Sequence, residues 1–457
     1  MLAVPMRGPR VPRRPEVFAK LVKTGLWSAL FLSPALPARA QAATGADSGD
    51  TAWIITATAL VLFMTLPGLS LFYAGLVRAR NALSVLMQCF SVACLCSLLW
   101  ILIGYSLAFD GGGALLGGLG KIFLSGVGTD SLSGTLPEVV FAMFQLTFAV
   151  ITPALIVGAF VERIRFSTLL GFSGAWMIVV YAPVVHWIWG GGMLSDGGWL
   201  GGALGVGVKD FAGGLVVHAT AGVSALVGAL VIGARQIFPA GMAPPHNPGM
   251  AMAGAAMLWV GWYGFNGGSA LASDGAAGMA IAATHVSAAA ASLTWMGIEW
   301  AKFGKPTLVG IITGMVAGLA TVTPASGFIG PFGGLVCGIA GGAACYYAVG
   351  LIKQRYKVDD TLDVCAVHGV GGVLGSLLVS VLAVTALGGG GLGEGIGVIQ
   401  QLGAQIVGTV LVIAWSAVAS YVLMRLFGAL FGLRVEANDE IEGLDVTTHG
   451  ERAYDLD

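Results

Sequence analysis

Long apolar runs constrain this chain more than any other feature. A bilayer span needs about 20 consecutive apolar residues in a helix. Runs of that kind lie near 52–76, 84–109, 138–160, 167–189, 212–233, 249–267, 277–300, 307–323, 328–352, 366–386 and 399–431, with short polar breaks between them. Only 10% of the 457 residues are charged and 56% are hydrophobic, whereas a soluble domain carries about 25% charged residues. Too little charge is present to cover a soluble surface. The expected fold is an all-α membrane protein of eleven transmembrane helices. Its 72 glycines are interspersed with large apolar residues, the composition that lets membrane helices approach closely. The 399–431 run exceeds one bilayer thickness, so this helix is long, tilted or projecting.

Charge placement orients the spans. Residues 1–42 read as a cleaved signal peptide. Arg7, Arg10, Arg13, Arg14, Lys20 and Lys23 form a basic region, Leu26 to Leu32 a short apolar core, and Ala38-Arg39-Ala40 a small-x-small cleavage pattern. With the mature N-terminus outside, the inside loops hold Arg78, Arg80, Arg163, Arg165, Arg235, Lys302, Lys305, Lys353, Arg355, Lys357 and Arg434. The outside loops hold mainly acidic residues, with Lys121 and Lys209 as exceptions. This alternation obeys the positive-inside rule and predicts an N-out, C-in topology. Residues 433–457 are then a cytoplasmic regulatory tail.

Ionisable residues inside membrane spans are costly and mark functional sites. Asp210 and His218 open the fifth span; Asp363 and His368 open the tenth. The two stretches echo each other: an Asp, then a Val-His step, then small residues. A repeat of five helices must place its second copy upside down. The reading is two inverted repeats, about 52–233 and 249–386, with the eleventh helix (399–431) outside them and the two histidines converging. Asp210 and Asp363 are read as structural support, with Asp210 capping a helix start. His186, His246 and His285 lack an echo and read as structural or interfacial; Glu162-Arg163 reads as a loop ion pair. Cys89, Cys94, Cys96, Cys337, Cys345 and Cys365 all lie in apolar runs and read as small hydrophobes. No nucleophile–base pair or metal cluster stands out, so an enzyme is not expected, nor is a metal or other cofactor. A net charge of −1 argues against nucleic acid as a partner.

Several motifs, dispersed and in order, resemble the ammonium transporter (Amt/Mep/Rh) family. They are Phe63-Met64-Thr65, Pro67-Gly68, Phe72-Tyr73-x-Gly75-Leu76, Ala159-x-x-Glu162-Arg163, Trp189-Gly190-Gly191-Gly192, Asp210-Phe211-Ala212-Gly213-Gly214, Gly261-Trp262-Tyr263-Gly264-Phe265-Asn266-x-Gly268-Ser269 and Val367-His368-Gly369. The resemblance runs from about residue 50 to 457. In the tail, Gly443-Leu444-Asp445, His449-Gly450-Glu451 and Ala453-Tyr454 are most similar to bacterial members, which implies the bacterial cytoplasmic (inner) membrane.

The resemblance implies a role for each matched residue. Trp189, Phe148 and Ser269 correspond to an outer vestibule for the ammonium cation, and Phe144 lies one turn before Phe148. Phe148 and Phe265 correspond to a stacked aromatic gate, and His218 and His368 to paired pore imidazoles. The resemblance also implies a homotrimer with one pore per subunit and a PII-type regulator on the cytoplasmic face. Two other functions stay open: an ammonium sensor signalling through its tail, and a Rh-like channel for NH3 or CO2. The short tail after Arg434 favours transport over sensing, and the aromatic-plus-serine vestibule favours a cation-recruiting member over a gas channel.

Overall fold

The computed structural model describes residues 45–455, so the expected signal peptide at 1–42 lies outside the described residues. Nearly all regular structure is helical; the strands Leu132–Ser133 and Leu136–Pro137 make one two-residue antiparallel pair. Among the described residues nine helices are long and apolar enough to cross a membrane. In chain order with two others they are α1 (Ser48–Leu76), α2 (Ala79–Phe109), α3 (Glu138–Val157), α4 (Phe166–Ile188), α5 (Gly214–Ile232), α6 (248–267), α7 (Gly275–Phe303), α8 (Leu308–Val322), α9 (Pro331–Arg355), α10 (Cys365–Leu382) and α11 (Val398–Phe431). Each apolar run of the sequence thus meets a helix. However, α8 has 15 residues and rises only about 22 Å, short of a bilayer core of about 30 Å. The 138–160 run overshoots its helix. The chain leaves α3 at Val157 and turns through Glu162, whose φ of 70° is left-handed.

Small residues set how closely these helices cross. Near the starts of α5 and α10, a Cβ placed on Gly222 meets the backbone nitrogen of Gly369 at 2.2 Å, so this crossing has no room for a side chain. Helix α11 has 34 residues and fastens α4 to α5 through hydroxyls. The Trp176 indole N–H donates to the hydroxyls of Ser224 and Ser420 at 2.9 and 3.1 Å, and Ser420 donates to Ser224 at 2.8 Å. Buried side-chain polar atoms in apolar surroundings need such partners.

A buried charge cluster joins the loops that follow α1, α3, α5 and α9. One Glu162 carboxylate oxygen accepts from the Arg78 backbone N–H, the Arg78 guanidinium and the Asn81 amide; the other accepts from Arg235 at 2.7 Å. Arg235 also forms a forked pair with Asp359 at 2.8 and 2.9 Å. Arg163 turns away from Glu162 and donates to the Asp359 carbonyl, the Thr361 hydroxyl and the Gly233 carbonyl. The expected Glu162–Arg163 ion pair is therefore replaced. Adjacent residues on a tight turn point apart, and each finds its partner on another loop.

The tail closes over this cluster as two short helices, α12 (Ala437–Glu442) and α13 (Leu444–His449). Glu440 accepts from Arg434 and from the Gln236 backbone N–H, while Asp445 accepts from the Leu83 and Ser84 N–H groups at the start of α2.

Burial alone would raise the Glu162 carboxyl, but the Arg235 and Arg78 charges hold it below the usual carboxylate range. A depressed folded pKa means that the stabilisation is present above the ordinary Glu value of about 4.3. It is lost as pH falls through the lower folded value. Glu162→Gln is expected to cost about 3 kcal/mol, because it leaves buried arginines uncompensated. Thermal unfolding in detergent should show this loss at pH 7 and a smaller gap between variant and wild type in strong acid.

Candidate functional site

Helices α5 and α10 begin in the same way. The Asp210 carboxylate accepts from four consecutive backbone N–H groups: Gly213 and Gly214 on Oδ1 at 2.9 and 2.6 Å, Leu215 and Val216 on Oδ2 at 2.8 and 3.0 Å. These are the donors that a helix start leaves without intrahelical partners. Gly213 makes the turn possible with a φ of 114°. A π-helical turn, Gly214–Ala219, then carries His218. At α10, Asp360 accepts from Val364 and Cys365 at 3.1 and 2.7 Å, and the π-helical turn Cys365–Gly369 carries His368. The spacing matches: 218 − 210 = 8 and 368 − 360 = 8.

Asp360, rather than Asp363, is therefore the counterpart of Asp210. Asp363 has a left-handed φ of 61° and directs its carboxylate to the Lys353 ammonium at 2.8 Å. Only its backbone carbonyl joins the helix start, accepting from the Val367 N–H. The equal spacing was visible in the sequence; the acidic residue nearer to His368 concealed it.

The two histidines meet. His218 Nδ1 lies 3.2 Å from His368 Nδ1, with the rings stacked at 5.2 Å and 19°. Both are buried. Two nitrogens at that distance share one proton: one ring donates and the other accepts. His218 Nε2 is buried without a hydrogen-bond partner. Both rings line a narrow, mostly apolar cavity with Leu69, Phe72, Trp262, Phe265 and others. Its volume is about 10 Å³, close to the least that holds one water-sized molecule.

From this pair a file of rings continues. His218 stacks on Phe265 at 6.0 Å and on Trp262 at 5.5 Å. Phe265 faces Phe148 at 4.3 Å between centroids, tilted by 35°. Phe148 meets Phe144 edge-on at 5.1 Å and Trp189 edge-on at 6.0 Å. Phe144, Phe148 and Phe265 are buried, whereas Trp189 and Ser269 are partly exposed. The Trp189 indole N–H donates to the Asp210 carbonyl at 2.7 Å, and the Ser269 hydroxyl donates to the Phe265 carbonyl at 2.8 Å. Asp210 thus positions two elements at once, α5 by its side chain and Trp189 by its backbone.

On the other side His368 borders a wider cavity of about 240 Å³, whose walls include Arg78, Glu162, Arg235, Lys353 and Asp363. The charged cluster of the loops therefore forms part of the wall of this cavity. Trp262, which stacks on His218 and donates to the Thr323 hydroxyl at 2.9 Å, belongs to the site although the sequence marked it only as part of a motif. His186 lies apart, its two ring nitrogens 3.0 and 2.7 Å from the Ala108 and Gly113 carbonyls. His246 and His285 contact Tyr454 and Tyr263.

Comparison with known proteins follows this geometry. The Ammonium Transporter Family profile matches residues 52–454. The chain belongs to the ammonium transporter family. A putative ammonium transporter of Methanothermobacter thermautotrophicus is 43% identical over 415 residues, covering 90% of this chain and 99% of that protein. An ammonium transporter of Bacillus subtilis is 42% identical, covering 89% and 98%. Among solved structures, Saccharomyces cerevisiae Mep2 aligns with a TM-score of 0.77 at 35% identity, over 87% of this chain and 91% of that one. A structure titled Sensor Amt Protein aligns with a TM-score of 0.80 at 29% identity, over 88% and 98%. Family membership and the nine apolar helices among the described residues make this a multi-pass membrane protein.

The two aspartates differ in what their loss exposes. Asp360→Ala strips the acceptor from two buried N–H groups beneath His368, an expected cost of about 2 kcal/mol. Asp363→Asn keeps a residue suited to left-handed φ and removes one partly exposed ion pair, an expected cost below about 1 kcal/mol. Unfolding midpoints of the two purified variants check the order.

Proposed function

We propose that this chain transports ammonium across a membrane by recruiting NH4+ at Trp189, Phe148, Ser269 and Phe144, removing its proton, and passing NH3 along the two histidines. The observation that carries this reading is the buried His218–His368 pair, with an unpartnered Nε2 at a cavity sized for one small molecule. The proposed topology is eleven spans, N-out and C-in, in two inverted repeats, in a bacterial inner membrane. The proposed assembly is a homotrimer with one pore per subunit, met at the tail face by a PII-type regulator.

The chemistry supports each step. An ammonium ion entering the vestibule loses water, and aromatic faces return about 0.5–2 kcal/mol each by cation–π attraction. The Ser269 hydroxyl gives its proton to the Phe265 carbonyl, so its oxygen lone pairs remain open to an ammonium N–H. Beyond lies the Phe148–Phe265 pair, where a charge costs several kcal/mol or more. Potassium resembles ammonium in size and charge, but it has no proton to leave behind. Ammonium that gives up its proton continues as neutral NH3 through an apolar passage. The histidine pair offers NH3 both a donor and an acceptor, and its shared Nδ1 proton makes it a relay. The separated proton crosses as well, so each cycle moves net charge.

A second reading, ammonium sensing, is favoured by one specific likeness, the alignment with the Sensor Amt Protein structure. Proteoliposomes distinguish the readings. Pulses of ammonium are expected to evoke currents in protein-containing membranes, and equal pulses of potassium are expected to evoke none. Absence of ammonium currents would remove net charge movement. Absence of both current and ammonium uptake would favour the sensor.

A further inference from the structure

The His218 ring is held by few polar contacts. Among the described residues its one hydrogen-bond contact is His368 Nδ1, and its Nε2 has none. A single contact restrains the ring torsion weakly, because torsions of this kind have broad wells. Stacking supplies the missing restraint. The Trp262 ring lies 5.5 Å from His218 at an interplanar angle of 21°. The rings of His368 and Phe265 lie at 19° and 26° to it. The plane of His218 therefore follows the planes of its neighbours.

Trp262 is in turn fixed through one hydrogen bond. It is buried at 2% exposure, and a buried indole N–H needs an acceptor. That acceptor is Thr323 Oγ1 at 2.9 Å. The Thr323 hydroxyl gives its own proton to the Leu319 carbonyl at 2.7 Å, which leaves its lone pairs for the indole. Leu319 lies in the last turn of α8.

The turn that ends α8 is itself wedged between the helices that carry the histidines. A Cβ on Gly214, at the start of α5, or on Gly375, in α10, would collide with Pro324. The Phe211 N–H donates to the Pro324 carbonyl at 3.0 Å. Helix α8 is short, and its end places one buried hydroxyl beside the indole that His218 stacks on.

We propose that Thr323 is a positioning residue for the histidine pair, its hydroxyl holding Trp262 in the plane that orients the His218 imidazole. It thereby sets where the unpartnered Nε2 stands at the narrow cavity. Its hydrogen bonds reach Trp262 and Leu319, not a histidine, so it acts through the indole. This role rests on the reading that the pair passes ammonia.

The test measures ammonium uptake in proteoliposomes, per folded chain, with the unfolding midpoint of each variant as the check on folding. Thr323→Val removes the acceptor at nearly constant volume and is expected to lower the maximal rate roughly tenfold. The half-saturating ammonium concentration should stay unchanged, because Trp189, Phe148 and Ser269 are untouched. Thr323→Ser keeps the hydroxyl and should restore the rate. Trp262→Phe keeps a ring but lacks the N–H, and it should behave as Thr323→Val does. In a His218→Ala background, Thr323→Val should cause no further loss, since coupled residues are not additive. A folded Thr323→Val at the wild-type rate, beside an impaired His218→Ala, would overturn the positioning role alone. So would Thr323→Ser as slow as Thr323→Val, or an equal fold-loss from Thr323→Val in the His218→Ala background. Undiminished uptake by His218→Ala would overturn the underlying reading and this role with it.

Discussion

Two buried carboxylates set the geometry on which the rest of this structure depends. Helices α5 and α10 must begin deep inside a protein that offers little water, and a helix start exposes four N–H donors. Asp210 satisfies four of them and Asp360 two. Each cap is followed, eight residues on, by a histidine in a π-helical turn. The absence of side chains at Gly222 and Gly369 then brings the two turns close enough for the imidazoles to touch. A polar pair in an apolar passage is thus fixed by acceptors that themselves stay out of the passage.

The two sides of the histidine pair are built differently. One side is aromatic: Trp189, Phe148 and Phe265 form a file of rings with the Ser269 hydroxyl beside it. The other side is ionic, with Glu162, Arg78 and Arg235 rimming a wider cavity. The same ion cluster binds the tail through Glu440, whose carbonyl accepts from Arg78 and whose carboxylate holds Arg434. The tail is therefore continuous, through hydrogen bonds, with the wall of the cavity that His368 borders.

Much of this was legible in the chain itself. Apolar runs located the helices because hydrocarbon tolerates little else. The echo of Val-His in two stretches signalled that His218 and His368 belong together, and their Nδ1 atoms lie 3.2 Å apart. The failures have physical causes. Asp363 seemed the better echo because sequence distance hides direction. A left-handed residue turns its side chain away from the helix start, and Asp360 caps the turn from three residues further back. Glu162 and Arg163 looked like partners because they are neighbours, yet their turn sends them to Arg235 and Asp359. The stacking of Trp262 on His218 is a tertiary contact, which no local pattern encodes.

The central claim is that the histidine pair carries ammonia through the apolar passage, and one comparison tests it most directly. Ammonium uptake and ammonium-over-potassium selectivity are measured in proteoliposomes holding wild type or the double variant His218→Ala with His368→Ala. Loss of both imidazoles from that narrow cavity is expected to slow ammonium on the order of tenfold to a hundredfold or to abolish its selectivity over potassium. Undiminished, ammonium-selective uptake by a folded double variant would contradict the claim.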